Sequence, residues 1–192
     1  MGLGLGPLLS FVFFLGGLPL LCPSAEDIPV MQNLDVKKLV GKWYPIVSAK
    51  SEAMPRPFHA FTLEAKDDGS AVLKVEIPKF GSCRIKKYPL ETESPGVFNM
   101  EGNTTGDATG VQQKDKSSIR VLDTDYNSYL ISEFLSGSTI FLCLYATEKD
   151  VQANVLKKFV TLVEKMNMNP EKLFFRHEID LCSVKKRKEE SK

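Results

Sequence analysis

Short stretches in which apolar and polar residues alternate run from residue 41 to residue 145 and predict β-strands. In residues 71–77, Leu73, Val75 and Ile77 share one side of such a stretch, and mainly polar residues share the other. This period of two places one face toward an apolar interior and the other toward water. The pattern predicts eight strands, at residues 41–49, 59–65, 71–77, 83–90, 97–101, 118–122, 128–134 and 139–145. Because the connections are short and several contain glycine, the expected fold is all-β, an eight-stranded antiparallel up-and-down β-barrel.

A helical pattern follows the last strand, at residues 149–166. Its apolar positions are spaced by four, four, three and four residues, which gives one apolar stripe along a helix. These positions are Val151, Val155, Phe159, Leu162 and Met166. Thr147 with Asp150 resembles a capping box at the start, and Pro170 follows the end. Since strand 139–145 is apolar on both sides, we expect one C-terminal α-helix packed outside the barrel.

The first 25 residues differ from the rest of the chain because they contain no Lys, Arg, Asp or Glu and include an apolar run at residues 8–21. This composition predicts a secretory signal peptide at residues 1–25 and an extracellular protein. Gly16, Gly17 and Pro19 argue against the alternative, a retained membrane span. The chain then divides into a barrel domain at residues 26–182 and a basic, disordered tail at residues 183–192.

The charges of the chain nearly cancel, with 25 Lys and Arg against 24 Asp and Glu. This balance gives no electrostatic reason to expect a nucleic acid as partner. The chain has only two histidines, His59 and His177, and lacks the sequence patterns of serine hydrolases, dithiol oxidoreductases and zinc proteases. We therefore expect a protein that is not an enzyme and that holds no metal or other cofactor.

Three cysteines remain once the signal peptide is removed, and an odd number in a secreted protein predicts one disulfide and one free thiol. Three pairings are open from the sequence. We expect Cys83 to pair with Cys182, because this bridge would hold the C-terminal segment on the barrel wall and leave Cys143 in a packed strand. Asn103 opens the triplet Asn-Thr-Thr and is a predicted glycosylation site.

The motifs and their order resemble those of the lipocalins. Gly41-Lys42-Trp43-Tyr44 lies on the first predicted strand, and Thr124-Asp125-Tyr126 lies between the sixth and seventh. A cysteine on the fourth strand and another near the C-terminus also fit, as does a single helix after the eighth strand. Residues 122–126 look most like those of milk, uterine and epididymal members. The resemblance implies that Gly41, Trp43, Thr124, Asp125 and Tyr126 form the floor of the barrel.

One feature departs from the family pattern. The third motif of lipocalins usually places an arginine just after the eighth strand, where its guanidinium lies over the tryptophan ring. Residues 144–149 contain no arginine, and Lys149 lacks the planar guanidinium fork. The chain therefore resembles the outlier lipocalins, and we expect a less tightly closed floor.

An eight-stranded barrel is just wide enough to hold one small ligand. If the register resembles that of other lipocalins, thirteen side chains point inward and bind this ligand, and Lys86 is placed to orient a carboxylate. These residues are Val47, His59, Phe61, Leu63, Leu73, Val75, Ile77, Lys86, Tyr88, Phe98, Phe134, Phe141 and Tyr145. The alternative is a solid core without a cavity.

The resemblance implies a secreted, monomeric carrier for a small hydrophobic molecule of the retinoid, fatty acid, steroid or odorant type, with a cell-surface receptor as a further partner. A second hypothesis is a protein-recognition or immunomodulatory scaffold that uses residues 51–57 and a glycan at Asn103. A third is an isomerase like the prostaglandin D synthases, with Cys143 activated beside Lys86. Against it, residues 59–61 lack the cysteine that these enzymes carry near the second strand.

Overall fold

A computed structural model of the chain describes residues 28–50, 59–66, 70–79, 82–101, 116–148 and 150–176. Several predictions fall outside these residues. They are the signal peptide, the loop at residues 51–57, the sequon at Asn103, the cysteine Cys182 and the basic tail.

Eight antiparallel strands close into a barrel, as the alternating pattern predicts. They are β1 (Gly41–Lys50), β2 (Phe61–Ala65), β3 (Ala71–Lys79), β4 (Ser82–Ser94), β5 (Val97–Glu101), β6 (Lys116–Thr124), β7 (Tyr129–Ser136) and β8 (Thr139–Ala146). Each strand pairs with the next along the chain, and β1 pairs with both β8 and β2. The pairings of β1 with β8 and with β2 join the two ends of the sheet and close the barrel. On β1, the pairing with β2 covers residues 41–43.

The register of β1 shifts by one residue between Pro45 and Val47. Pro45 lies opposite Tyr145, whereas Val47 lies opposite Leu144, the next residue along β8. Such a bulge places two residues of one strand against one of its partner and changes which face the following side chains occupy. The residues of β1 beyond the bulge therefore point the opposite way from a simple alternation. A similar shift separates Val121 from Asp123 on β6.

Helix α1 (Ala153–Lys165) packs on the outside of the barrel, as the apolar surface of β8 predicts. Its buried residues Val155, Phe159 and Val163 form a core with residues from the outer faces of β1, β6, β7 and β8. The strand residues in this core are Val47, Ala49, Leu122, Tyr129, Ile131, Leu142 and Leu144. The core covers the side of β8 that would otherwise expose apolar surface to water. In the described part of the chain, no helix is long and apolar enough to cross a bilayer.

The start of α1 differs from the expected capping box. The helix begins after Gln152, whose side chain makes no capping hydrogen bond. The hydroxyl of Thr147 instead donates to the backbone oxygen of Asn127 at 2.9 Å and so ties the end of β8 to the turn before β7.

Three short elements complete the described chain, and one of them is a 3₁₀ helix at Pro170–Lys172, after α1. A 3₁₀ helix, Val36–Leu39, precedes β1, and Asp35 caps it by accepting from the Lys37 amide. A two-residue strand, β9 (Phe174–Phe175), pairs with β1 beyond the bulge, at Val47 and Ser48. The sequence pattern does not predict β9. It brings the residues that follow α1 back against the barrel wall.

Candidate functional site

The barrel encloses a cavity of about 560 Å³, so its interior is not a solid core. The cavity runs from Val36 and Leu39 at the base, beside the start of β1, to Lys50, Ser136 and Thr139 at the upper strand ends. Apolar side chains supply most of its wall. These are Val36, Leu39, Phe61, Leu63, Leu73, Val75, Ile77, Leu90, Phe98, Met100, Ile119, Val121, Leu130, Phe134 and Phe141.

Eleven of the thirteen residues predicted to point inward line this cavity. They are His59, Phe61, Leu63, Leu73, Val75, Ile77, Tyr88, Phe98, Phe134, Phe141 and Tyr145. The strands that carry them keep the period of two that the sequence shows, so the inward face follows from the pattern. Whether these residues bind a ligand stays a prediction.

Val47 is placed differently from the prediction, and Lys86 is not among the residues that line the cavity. Val47 is 2% exposed and packs in the outer core against α1, because the bulge after Pro45 reverses the direction of the side chains beyond it. Lys86 is half-buried opposite Val75 and does not line the cavity. Because Val75 lines the cavity and residues paired directly across two strands share one face, Lys86 lies on the inward face of β4, as predicted. Whether it orients a carboxylate stays a prediction.

Sequence reasoning missed eleven lining residues. They are Val36, Leu39, Lys50, Leu90, Met100, Ile119, Val121, Leu130, Ser132, Ser136 and Thr139. Most of them continue the alternation of residues that the pattern identified: Leu90 follows Tyr88 by two positions, and Met100 follows Phe98 by two. Ser132, Ser136 and Thr139 are polar, so a search for alternating apolar residues does not identify them. The direction of Lys50 required knowledge of the bulge.

The polar lining residues concentrate on one side of the cavity. Ser132 and Ser136 lie on β7, Thr139 and Tyr145 on β8, and Lys50 at the end of β1. The opposite side, formed by β2 to β6, is apolar except for Tyr88 and for His59 just before β2. At the upper end, Nζ of Lys50 lies 5.2 Å from the centroid of the Phe141 ring. A ligand with one polar part and a long apolar surface would match this uneven lining.

Trp43 closes the base of the barrel. Its ring is 1% exposed, and its Nε1 donates to the backbone oxygen of Leu39 at 2.9 Å. This hydrogen bond fixes the 3₁₀ helix beneath the ring and satisfies the buried indole N–H. Gly41 begins β1 with a φ of 136°, a backbone conformation that residues other than glycine rarely adopt.

The Thr124-Asp125-Tyr126 turn completes the base. The Thr124 hydroxyl donates to the Tyr129 oxygen and accepts from the Tyr126 amide at 3.0 Å. Burial raises the pKa of Asp125, but hydrogen bonds from Ser128, Tyr129 and Asn127 outweigh it and lower this pKa to about 2. The Tyr126 hydroxyl accepts from the Asp35 amide at 3.2 Å, which ties the turn to the segment before the 3₁₀ helix.

The missing third-motif arginine does not expose the tryptophan ring. Trp43 is almost completely buried in one core with Leu39, Phe61 and Leu130. Whether the floor is looser than in lipocalins that have the arginine stays a prediction.

Three neighbouring residues of the barrel wall, Ser48, Ser132 and Cys143, carry small polar side chains. Cys143 is a free, buried thiol whose backbone neighbours are Ser48 and Ser132. Burial raises its pKa well above the ordinary value, and a hydrogen bond with Tyr145 only partly opposes this. Burial likewise raises the pKa of Tyr145, as does its contact with Cys143, while the nearby charge of Arg176 lowers it. The thiol is therefore protonated at neutral pH.

The closed β-barrel with a tryptophan floor, an interior cavity and one external helix defines the class of calyx-shaped barrel proteins. Over residues 40–180 the chain matches the Lipocalin / cytosolic fatty-acid binding protein family. Epididymal secretory protein 4 of Zootoca vivipara is 31% identical over 152 residues, which cover 76% of this chain and 79% of that protein. The chain therefore belongs to the lipocalin family.

Two further relatives have similar coverage. Beta-lactoglobulin-2 of Equus caballus is 27% identical over 160 residues, which cover 74% of this chain and 81% of that protein. Major urinary protein 20 of Mus musculus is 26% identical over 158 residues, which cover 78% of this chain and 82% of that protein. The similarity thus extends over most of each relative.

Proposed function

We propose that this protein is a secreted carrier that binds one small hydrophobic or amphipathic molecule in the barrel cavity. The observation that carries the proposal is the cavity of about 560 Å³, walled by apolar side chains and bounded at its base by the 3₁₀ helix and Trp43. Ligand pockets in proteins typically have volumes of roughly 300–1,000 Å³ and a mainly apolar lining.

The apolar wall supplies the binding free energy. A ligand that loses about 300 Å² of apolar surface to the cavity gains roughly 7 kcal/mol at about 25 cal/mol per Å². The loss of translational and rotational freedom offsets part of this gain. Because the wall from β2 to β6 is almost entirely apolar, the ligand's long dimension should be hydrocarbon. The matched family includes cytosolic fatty-acid binding proteins, which supports the same class of ligand.

Secretion is part of the proposal. The uncharged, apolar first 25 residues support it, and so do the names of two relatives, epididymal secretory protein 4 and major urinary protein 20. We further propose a monomer with a retinoid, fatty acid, steroid or odorant as ligand, which a cell-surface receptor then receives. The disulfide Cys83–Cys182 and a glycan at Asn103 belong to the same proposal.

A carrier is favoured over the isomerase because of the state of Cys143. A thiol must lose its proton to act as a nucleophile, and burial holds the pKa of this thiol well above its ordinary value. Lys86, the lysine that the isomerase hypothesis placed beside Cys143, lies on β4, whereas the strands that pair with β8 at Cys143 are β1 and β7. The scaffold hypothesis used residues 51–57 and Asn103, which lie outside the described residues.

Titration calorimetry and native mass spectrometry with a fatty acid and a retinoid test the proposal. We expect saturable one-to-one binding. Val75→Trp should abolish it, because Val75 lines the cavity and the indole would fill the space. Thr62→Trp is the matched control, since Thr62 lies on the neighbouring strand among residues that do not line the cavity. Absence of binding to every lipid tried, or equal binding by both variants, would overturn the carrier proposal.

A further inference from the structure

Arg176 is a positively charged residue that lies against the barrel wall but belongs to none of the eight barrel strands. It follows β9, and its backbone N–H donates to the Ile46 oxygen on β1 at 3.0 Å. On β9, Phe174 lies opposite Ser48 and Phe175 lies opposite Val47. Because side chains alternate along a strand, Arg176 shares the face of Phe174 and Ser48 and not the outer face that Val47 occupies. Lys50, two residues beyond Ser48 on β1, lines the cavity, so this face is the inward phase of β1 at that level, although Arg176 is not itself a lining residue.

The same level of the wall carries Tyr145. On the other side of β1 from Arg176, Tyr145 lies opposite Pro45 and lines the cavity. Two long side chains that flank one strand at neighbouring positions can reach each other across it. In agreement with this geometry, the charge of Arg176 acts on the Tyr145 hydroxyl.

The guanidinium of Arg176 lacks one hydrogen-bond partner. Its Nη1 is buried and donates to no protein acceptor in the part of the chain that the structure describes. A buried donor without a partner is costly, more so when it carries charge, so such a group is expected to meet an acceptor in the functional state. Guanidinium groups bind carboxylates with good geometry because both are planar and offer paired contacts.

The cavity holds no competing negative charge. Among its described lining residues, none is Asp or Glu, whereas Lys50 and His59 are present. The buried carboxylate of Glu133 on β7 lies outside the cavity lining and is paired with Arg120 at 2.9 Å. The interior therefore favours an anionic group over a cationic one.

We propose that Tyr145, backed by the charge of Arg176, is the polar anchor of the cavity and binds the carboxylate of an amphipathic ligand whose hydrocarbon tail runs toward the upper strand ends. This inference rests on the proposed carrier function and deepens it by naming the ligand class and its orientation. Tyr145 contacts the ligand directly. Arg176 does not itself line the cavity, and its Nη1, which has no acceptor among the described residues, is the donor that would meet the carboxylate beside Tyr145.

Lys50 offers a competing anchor that the experiment can separate. It lines the upper end of the cavity over the Phe141 ring, several residues beyond Tyr145 along the wall. A carboxylate bound there would place the ligand tail at the base, in the opposite orientation. The two arrangements predict different effects of single substitutions.

The test compares dodecanoate, dodecanol and dodecylamine by titration calorimetry at neutral pH. These probes share one tail and differ in head charge. We expect the wild-type protein to bind dodecanoate at least about tenfold more tightly than dodecanol, the size of effect that a charged hydrogen bond gives. Dodecylamine should bind more weakly than dodecanol. Arg176→Gln should remove most of the preference for dodecanoate while leaving the affinity for dodecanol within about twofold, and Lys50→Gln should leave the preference intact.

Two further variants keep the test decisive if Arg176→Gln fails to fold. Tyr145→Phe removes only a hydroxyl and should reduce the preference several-fold, and Arg176→Lys should retain part of it. Loss of the preference in Lys50→Gln but not in Arg176→Gln or Tyr145→Phe would overturn the proposed anchor. Equal wild-type affinities for dodecanoate and dodecanol would also overturn it and leave the carrier function standing. Failure of all three probes to bind would instead count against the carrier function itself.

Discussion

Lys158 on helix α1 donates to Asp123 on β6, with 2.9 Å between Nζ and Oδ2. The same Nζ lies 3.0 Å from the Tyr129 hydroxyl, which donates to Asp123 at 3.0 Å. Asp123 faces the helix because it follows the register shift on β6. Hydrogen bonds with Tyr129 and Asp123 raise the pKa of Lys158. The three side chains join the helix to the barrel at the edge of the outer core.

Removing this contact should loosen the helix. Lys158→Met keeps the aliphatic stem but loses the charge, and we expect the free energy of unfolding at pH 7 to fall by about 1 kcal/mol. Because the folded-state pKa is raised, the contribution is full below the unfolded-state pKa and is lost only as the pH rises through the folded-state pKa. Urea denaturation at pH 6 to 8 should therefore give one constant difference. The exposed neighbour Lys157→Met is the control, and an equal loss there would contradict the assignment.

Asp125 should make stability depend on pH in the acid range. Its pKa is lowered in the folded protein from 3.8 to about 2, so its contribution is present above about pH 4 and is lost as the pH falls toward 2. Asp125→Asn should reduce stability at pH 7 by about 1 kcal/mol or less, since the side chain is exposed and an amide oxygen can still accept. Urea midpoints of both proteins should converge between pH 4 and pH 2. A difference that stays constant over this range, or one that Glu148→Gln reproduces, would refute the prediction.

Trp43→Phe tests the hydrogen bond at the floor. Phenylalanine fills most of the space but cannot donate to the Leu39 oxygen, so we expect a loss of about 1–3 kcal/mol. Far-UV circular dichroism should follow the unfolding, because the variant has no tryptophan left to report it by fluorescence. Tyr44→Phe is the matched control on the next residue, which keeps its ring beside Lys42 and should change little. Equal stability of Trp43→Phe and wild type would show that the bond contributes nothing.

The predicted bridge between Cys83 and Cys182 can be tested by stability alone. Cys182→Ser should lower the free energy of unfolding by about 2–4 kcal/mol under non-reducing conditions, because the closed loop is long. Reduced wild-type protein should show the same loss. An unchanged denaturation midpoint in the variant would show that the Cys83–Cys182 pairing is wrong.

The sequence predicts the barrel well because its strands are mostly regular. In β3, each second residue faces the cavity without interruption, so Leu73, Val75 and Ile77 follow from the period of two. Val47 does not follow, because the bulge that turns it outward depends on the pairing with β8 and leaves no mark in the pattern. The side chains of Ser48 and Lys50 change direction for the same reason.

Tertiary contacts also override local sequence patterns. Thr147 and Asp150 look like a helix start, yet the Thr147 hydroxyl satisfies the Asn127 oxygen and α1 begins later, at Ala153. No sequence pattern predicts that Arg176 lies against the barrel, because its position depends on β9 and a two-residue strand is too short to show alternation. Features of this kind require the three-dimensional pairing of distant segments.

The bulge in β1 has a practical meaning for anyone who would retarget the pocket. A mutagenesis library that randomises every second residue of this strand from Trp43 onward would include Val47 and Ala49, which pack against helix α1. Changes at these two positions would disrupt the core beneath the helix without altering the ligand selectivity of the pocket. Beyond the bulge, the codons to diversify are those of Ser48 and Lys50, which follow the inward phase. Deleting Ile46 would remove the bulge and join the two halves of the strand into one regular alternation, in which Ser48 and Lys50 keep the pocket side and Val47 and Ala49 keep the helix side.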